Sequence, residues 1–260
     1  MSAVTTQDGV SISYARAGEG PRHLLFMHGW AGSGRYFDAT IEQLDLTRLQ
    51  AVTYDLRGHR QSAPATDGYT LEQIAEDALA VADAAAMSEF VVVGFSMGAK
   101  FGQYVSVLAP DRVVGQILIA GCPAGEILLP RETTDDWLSR ERDPVRMAQV
   151  PEPYMTRPVA PELIERFGRD AATVGHAALE GTLNAVMTTS FTDRLGSITT
   201  PSLVIGGSGD PMFPPDALRA TVVAPLVGAR LALVDCGHEI PIEAPHELAA
   251  LIEAFLAGLG

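Results

Sequence analysis

The stretch Phe90-Val91-Val92-Val93-Gly94-Phe95-Ser96-Met97-Gly98 passes from an apolar, β-branched run into residues 98–109, where apolar positions recur at helical spacing. It reads as strand, tight turn, helix. The turn has the pattern Gly-x-Ser-x-Gly, in which glycines at 94 and 98 allow a sharp reversal that pushes Ser96 into a strained, exposed position at the strand end. Taken alone, those five residues equally describe a glycine-rich turn with a capping serine. The strand before them and the helix after them favour Ser96 as a nucleophile.

The same alternation continues outward in both directions. Residues 10–14 follow an Asp8-Gly9 turn and predict a hairpin with residues 3–6. Residues 23–27, 50–54, 90–93, 113–119, 201–205 and 230–234 read as buried strands of continuous apolar character, completing eight. Helical spacing at 35–44, 71–86, 98–109, 215–222 and 246–259 falls between them. The predicted class is α/β, a mostly parallel eight-stranded sheet with helices on both faces. Residues 121–200 break the pattern: they hold no convincing core strand, are rich in proline and charge at first, and turn helical over 161–168 and 170–187. Compact domains rarely carry a structureless loop of that length. The expected organisation is a core domain from residues 1–121 and 200–260, with residues 122–199 as a helical cap over one end of the sheet.

Composition narrows the function classes. A chain of 260 residues with 47% apolar and 19% charged residues has material for a large core and fits one domain with an insertion, which excludes disorder over most of its length. Eighteen Lys and Arg against thirty-two Asp and Glu leave a net charge of −14, which repels phosphate backbones and anionic membranes and argues against nucleic-acid partners. The first residues lack a basic stretch followed by an apolar run, and no uninterrupted apolar segment is of spanning length. A cytoplasmic protein without membrane insertion is expected; the sequence carries no signal of oligomeric state.

A serine hydroxyl is a weak nucleophile at neutral pH and requires a base, which an acid must orient. Pro201-Ser-Leu-Val-Ile-Gly-Gly-Ser-Gly-Asp210 places a carboxylate a few residues past one strand, and Leu231-Ala-Leu-Val-Asp-Cys-Gly237-His238 places a histidine just past the next. Ser96, Asp210 and His238 then all project from carboxyl ends of parallel strands, where open α/β sheets build their sites. Charge developing on an attacked carbonyl needs two backbone donors. The Met97 amide, opening the helix, is one candidate. The run Leu24-Leu-Phe-Met-His28-Gly29-Trp30 ends a strand in a His-Gly step, which makes the Trp30 amide the other; its indole either packs or faces substrate.

With these motifs the chain resembles the α/β-hydrolase superfamily over essentially its whole length. Asp55-Leu-Arg57-Gly58-His-Arg60-Gln-Ser62 is similar to the family's Asp-x-Arg-Gly-x-Gly-x-Ser turn, with Arg60 in place of the second glycine, and Gly237-His238-Glu-Ile-Pro-Ile-Glu243-Ala-Pro245 is similar to the segment that carries its histidine. The resemblance implies acyl transfer without a cofactor: Ser96 attacks a carbonyl, His238 takes its proton, Asp210 holds the imidazolium, and water releases the acyl-enzyme. A serine at 96 argues against haloalkane dehalogenases and epoxide hydrolases, which attack with aspartate. The leading expectation is a carboxylesterase or lactonase acting on small or medium substrates, a small-molecule ester or lactone being the partner. Carbon–carbon bond hydrolases, cofactor-free perhydrolases and, in another class, ligand receptors on a hydrolase scaffold are the alternatives.

Other residues receive plainer readings. Asp235 and Glu126 are expected as solvated loop carboxylates, and His59, His176 and His246 as surface or helix-terminal residues without metal-ligand spacing. His28 is expected to bond structurally near the oxyanion turn. Lys100, the only lysine, is expected to pair with a nearby carboxylate. Cys122 and Cys236 fall just past the sixth and eighth strands, which the topology implied by the resemblance separates by the seventh, about 9 to 10 Å and too far for a bridge, so free thiols are expected. Met147, Met155 and Met187, with Phe167 and Phe191, are candidates to line an acyl pocket, since flexible apolar side chains accommodate varied chains.

Overall fold

Successive residues of the central strands face opposite sides of one sheet, and both sides are buried: Val92 packs with one helical layer, Val91 and Val93 with the other. The computed structural model describes residues 1–259. Its strands are β1 (Ser2–Thr5), β2 (Ser11–Ala17), β3 (Arg22–Met27), β4 (Leu49–Tyr54), β5 (Phe90–Phe95), β6 (Val113–Ile119), β7 (Ser202–Gly207) and β8 (Arg230–Val234). They form a single sheet in the order β1-β2-β4-β3-β5-β6-β7-β8. The first two strands pair antiparallel, as do β2 and β4, and every later pairing is parallel.

The helices are α1 (Asp38–Ile41), α2 (Leu71–Ala84), α3 (Met97–Leu108), α4 (Arg131–Ser139), α5 (Pro144–Ala148), α6 (Pro161–Ala171), α7 (His176–Thr188), α8 (Pro215–Leu218), α9 (Ile240–Glu243) and α10 (Pro245–Ala257). Helix α2 shows why these segments form. The Thr70 hydroxyl accepts from the Gln73 amide at 3.2 Å, and Leu71, Ile74, Ala75, Ala78, Val81 and Ala82 place one apolar stripe against the sheet. Helices α2 and α3 cover one face; α1 and α10 cover the other.

Between β6 and β7 the described residues hold four α-helices, two 3₁₀ turns and no strand. This segment lies across the carboxyl ends of the parallel strands and is bonded to them. The Trp30 indole, just past β3, donates to Leu179 O in α7 at 2.9 Å, and the His238 amide donates to Tyr154 O at 2.8 Å. Two details differ from the sequence expectation. Residues 170–187 are not one helix: α6 ends at Ala171 and α7 starts at His176, because the Thr173 hydroxyl bonds back to Asp170 O and Gly175 takes an extended conformation. The 35–44 helix is a 3₁₀ turn, Gly34–Phe37, running into the single-turn α1. Among the described residues no helix is long and apolar enough to cross a membrane.

Candidate active site

The turn after β5 is held by close backbone packing. A Cβ at Gly94 would strike the carbonyl of Gly98, and one at Gly98 would strike the carbonyl of Met27 on the neighbouring strand, so both positions must be glycine for α3 to start this near the sheet. Ser96 sits between them at φ 51° and ψ −115°, a region costing a non-glycine residue about 1–3 kcal/mol. Bonds from the Ser96 amide to Ile119 O at 2.8 Å and to the Ser96 carbonyl from Ala99 and Cys122 hold the strained turn in place.

Two further loops converge on the Ser96 hydroxyl. Its oxygen lies 3.0 Å from His238 Nε2, and His238 Nδ1 lies 2.8 Å from Asp210 Oδ2. Asp210, just past β7, is fixed in turn through Oδ1 by the amides of Met212 and Phe213 at 2.7 and 3.0 Å. Burial would raise the Asp210 pKa, but its hydrogen bond to His238 and these amides bring it below the ordinary carboxylate value. Burial would likewise lower that of His238; the bond and charge of Asp210 outweigh it and leave the imidazole above 6.5. The pair therefore fixes Nδ1–H on the acid and turns Nε2, as acceptor, toward the serine.

The segment after His238 is held by a carboxylate that had no assigned role in the sequence. Glu243 accepts from the amides of Thr156, Arg157 and Gly237 through Oε2, at 2.7 to 3.1 Å, and from that of Glu239 through Oε1 at 3.0 Å. One side chain thus ties the histidine turn to the Tyr154–Arg157 stretch above it. The turn after β3 is fixed from below. His28 Nδ1 bonds Gly29 O at 2.8 Å, and its Nε2 accepts from the Leu56 amide at 3.0 Å. Among the described residues, neither the Trp30 nor the Met97 amide donates to another group of the protein. Both residues line the same cavity as Ser96.

That cavity, about 740 Å³ including its mouth, has Ser96 and His238 on its floor. Its walls are largely aromatic: Trp30, Phe95, Trp137, Tyr154 and Phe167 contribute, with Leu183 and Val186 from α7. No Lys or Arg among the described residues lines it, and its one carboxylate is Glu239. Met147, Met155 and Met187 do not line it. Met187 follows Val186 and is rotated about 100° further round α7, away from the wall. Met147 is wholly buried in the core, and Met155 packs against that core while its neighbour Tyr154 takes the wall position. Phe167 lines the cavity and Phe191 does not; it packs on Tyr104 instead.

Two other expectations are corrected. His59 is fully buried, with its ring 5.0 Å from that of His28 and Nδ1 on Arg57 O at 3.0 Å. Lys100 pairs with no carboxylate. Its buried ammonium donates to the carbonyls of Gly125, Val186 and Thr189 at 2.6 to 2.7 Å, closing the C-terminal end of α7, and burial lowers its pKa to about 8. Arg60, in the place of the motif's second glycine, keeps the left-handed conformation at φ 42° and reaches Asp55 at 3.3 Å and Asp170 of α6 at 3.5 Å. Asp235, Glu126, His176 and His246 are exposed, and Cys122 and Cys236 are buried free thiols. Among the described residues no group of three or more His, Cys, Asp or Glu could hold a metal.

Comparison with known proteins identifies the family and the fold. Residues 24–251 match the model of the alpha/beta hydrolase family. A non-heme haloperoxidase of Rhodococcus erythropolis is 29% identical over 89% of this chain and 90% of its own length. A bifunctional esterase/perhydrolase of Acinetobacter calcoaceticus is 29% identical over 82% and 84%. Among solved structures, a thermophilic esterase from Thermogutta terrifontis superposes with a TM-score of 0.86 at 22% identity, covering 99% of this chain and 98% of its own, a likeness of fold.

Proposed function

Because this chain belongs to the α/β-hydrolase family, we propose that it is a serine hydrolase that cleaves carboxylic esters or lactones of small or medium size through an acyl-enzyme on Ser96. The observation that carries this reading is the unbroken relay from Asp210 through His238 to Ser96, at 2.8 and 3.0 Å, on the floor of an apolar cavity. Ser96 Oγ attacks the substrate carbonyl as its proton passes to His238 Nε2. The amides of Trp30 and Met97 take the oxyanion, a role worth about 10² to 10³ in turnover per donor. His238 then gives the proton to the departing alkoxide, which leaves as alcohol, and accepts one from the water that splits the acyl-enzyme. Residues 122–199 act as a cap whose walls select the acyl chain.

The test is turnover of a p-nitrophenyl ester series from acetyl to decanoyl. Sustained release of p-nitrophenol with a chain-length optimum supports the reading; a folded protein silent on the whole series counts against it. A second reading, perhydrolysis, draws on the name of the Acinetobacter relative. There hydrogen peroxide replaces water on the same acyl-enzyme and yields a peracid. Peracetic acid formed from acetate and hydrogen peroxide would favour it.

A further inference from the structure

Glu239 sets a single carboxylate among the aromatic walls of the cavity, beside the histidine but outside the relay. Its side chain is more than nine-tenths buried. Tyr36, stacked on Phe95, donates its hydroxyl to Oε2 at 2.5 Å, which fixes the carboxyl group in place. Among the described residues Oε1 accepts from no group and is left open, and Glu239 lines the cavity. A largely buried carboxylate whose second oxygen opens to an apolar cavity has an acceptor to offer a charged donor there.

We propose that the Glu239 carboxylate is a recognition point for a substrate carrying a protonated amine. Three observations converge on a cation. The open oxygen is an acceptor on a group that is charged when ionised, and an ammonium would supply both the missing donor and the missing countercharge. The cavity walls carry an aromatic cluster, with Trp30 and Trp137 at 5.3 Å and Tyr154 against Trp137 at 6.1 Å, and aromatic rings attract ammonium groups through their quadrupoles. No basic side chain on the cavity wall competes for the site, and the molecule's net charge of −14 draws cations toward it. The same features disfavour an anionic acyl group, which would meet Glu239 with no Lys or Arg to offset it. The groups facing Glu239 balance one another in part: burial is the chief force keeping a proton on it, His238 when protonated favours its charged form, and Glu243 and Asp210 oppose it.

The proposal names the substrate class of the site and rests on its being the acyl-transfer site, but its test is binding and needs no turnover. Both tryptophans of the chain line the cavity, so selectively excited tryptophan fluorescence reports on that place. Hexylammonium, hexan-1-ol and hexanoate are titrated into wild type and Ser96→Ala. Hexylammonium is expected to bind about tenfold or more tighter than hexan-1-ol, equivalent to about 1.4 kcal/mol, with hexanoate weakest. In Glu239→Gln that preference should fall to within about twofold. Equal affinity for ammonium and alcohol, tighter binding of the alcohol, or a preference that survives in Glu239→Gln would each overturn the proposal. The comparison of the three ligands on wild type decides the matter even if the variant does not fold. A hydrolase failure is distinguishable, because it leaves the binding order intact.

Discussion

The floor and the roof of the cavity are built on different principles. On the floor, Ser96, Asp210 and His238 each stand at the carboxyl end of a parallel strand, Asp210 held by the amides two and three residues on and Ser96 by the backbone of the neighbouring strand. The roof, the short helices between β6 and β7, is attached by long-range ties, among them Trp30 to Leu179, Lys100 to the end of α7, Arg35 and Arg60 to Asp170, and Glu243 to Thr156 and Arg157. The difference separates two kinds of cost. Damage to the floor should remove chemistry and spare the fold, whereas damage to the ties should remove stability or selectivity and spare the chemistry.

The largest expected effect is on the floor. Ser96→Ala should lower ester turnover by about 10⁴-fold or more, with an unchanged or raised unfolding midpoint, since the strained residue takes no part in the core. A variant that keeps its activity, or unfolds, would erase the distinction. Asp210→Asn should follow at about 10³ to 10⁴ in kcat, because the imidazole loses the group that fixes its tautomer. It should also shift the pH profile. In wild type kcat/KM should rise with pH through a midpoint above 6.5, since His238 must be neutral to act as base and Asp210 raises its pKa. The asparagine variant should move that midpoint down, and a pH–rate series on both proteins checks the sign.

At the junction, Lys100→Met should leave the buried carbonyl of Val186 and the part-buried carbonyls of Gly125 and Thr189 without this donor and cost about 3 kcal/mol or more by denaturant titration, at about 1–3 kcal/mol for a buried group and less for the other two. A loss below about 1 kcal/mol would show that the roof does not hang on this residue. Beneath the floor, the buried pair His28 and His59 sharpens the contrast with His238. Burial, with no carboxylate bonded to either ring and with His28 beside His59, lowers their pKa values to about 4 and about 3. Unfolding returns both to about 6.5, so the unfolded chain binds more protons below that value and stability falls with acidification. Each costs about 2 kcal/mol between pH 7.5 and pH 5. His238 works in the opposite sense, its stabilisation being present below 6.5 and lost as pH rises through its raised folded value. His59→Gln should therefore reduce the stability difference between pH 7.5 and pH 5 by about 2 kcal/mol. The smallest effect belongs to the wall: Trp137→Ala should raise KM for octanoyl esters about tenfold and leave the acetyl ester nearly unchanged, a difference of about 1.4 kcal/mol.

The same division marks what could be read in the sequence. Strands of continuous apolar character and the residues one turn beyond them are local signals, and each predicted strand is present with Ser96, Asp210 and His238 brought together at the strand ends. The roof depends on how helices rotate about their own axes. That is why Leu183 and Val186 line the cavity where Met187 was expected, and why α4 and α5, short and rich in charge, left no periodic trace. The Tyr36–Glu239 bond joins residues 203 apart, and Lys100 meets carbonyls up to 89 residues away. Neither partnership has a local signature. His59 was misread because a polar loop residue carries no sign that packing will bury it beside His28.

The central claim, acyl transfer through Ser96, is tested most directly by rapid-quench intact-mass analysis after mixing with p-nitrophenyl butyrate, followed by peptide mapping. The account predicts a transient butyryl adduct, one per chain, on the peptide that contains Ser96, absent from Ser96→Ala. Sustained ester turnover with the adduct on another residue, or an adduct that persists in Ser96→Ala, would contradict it.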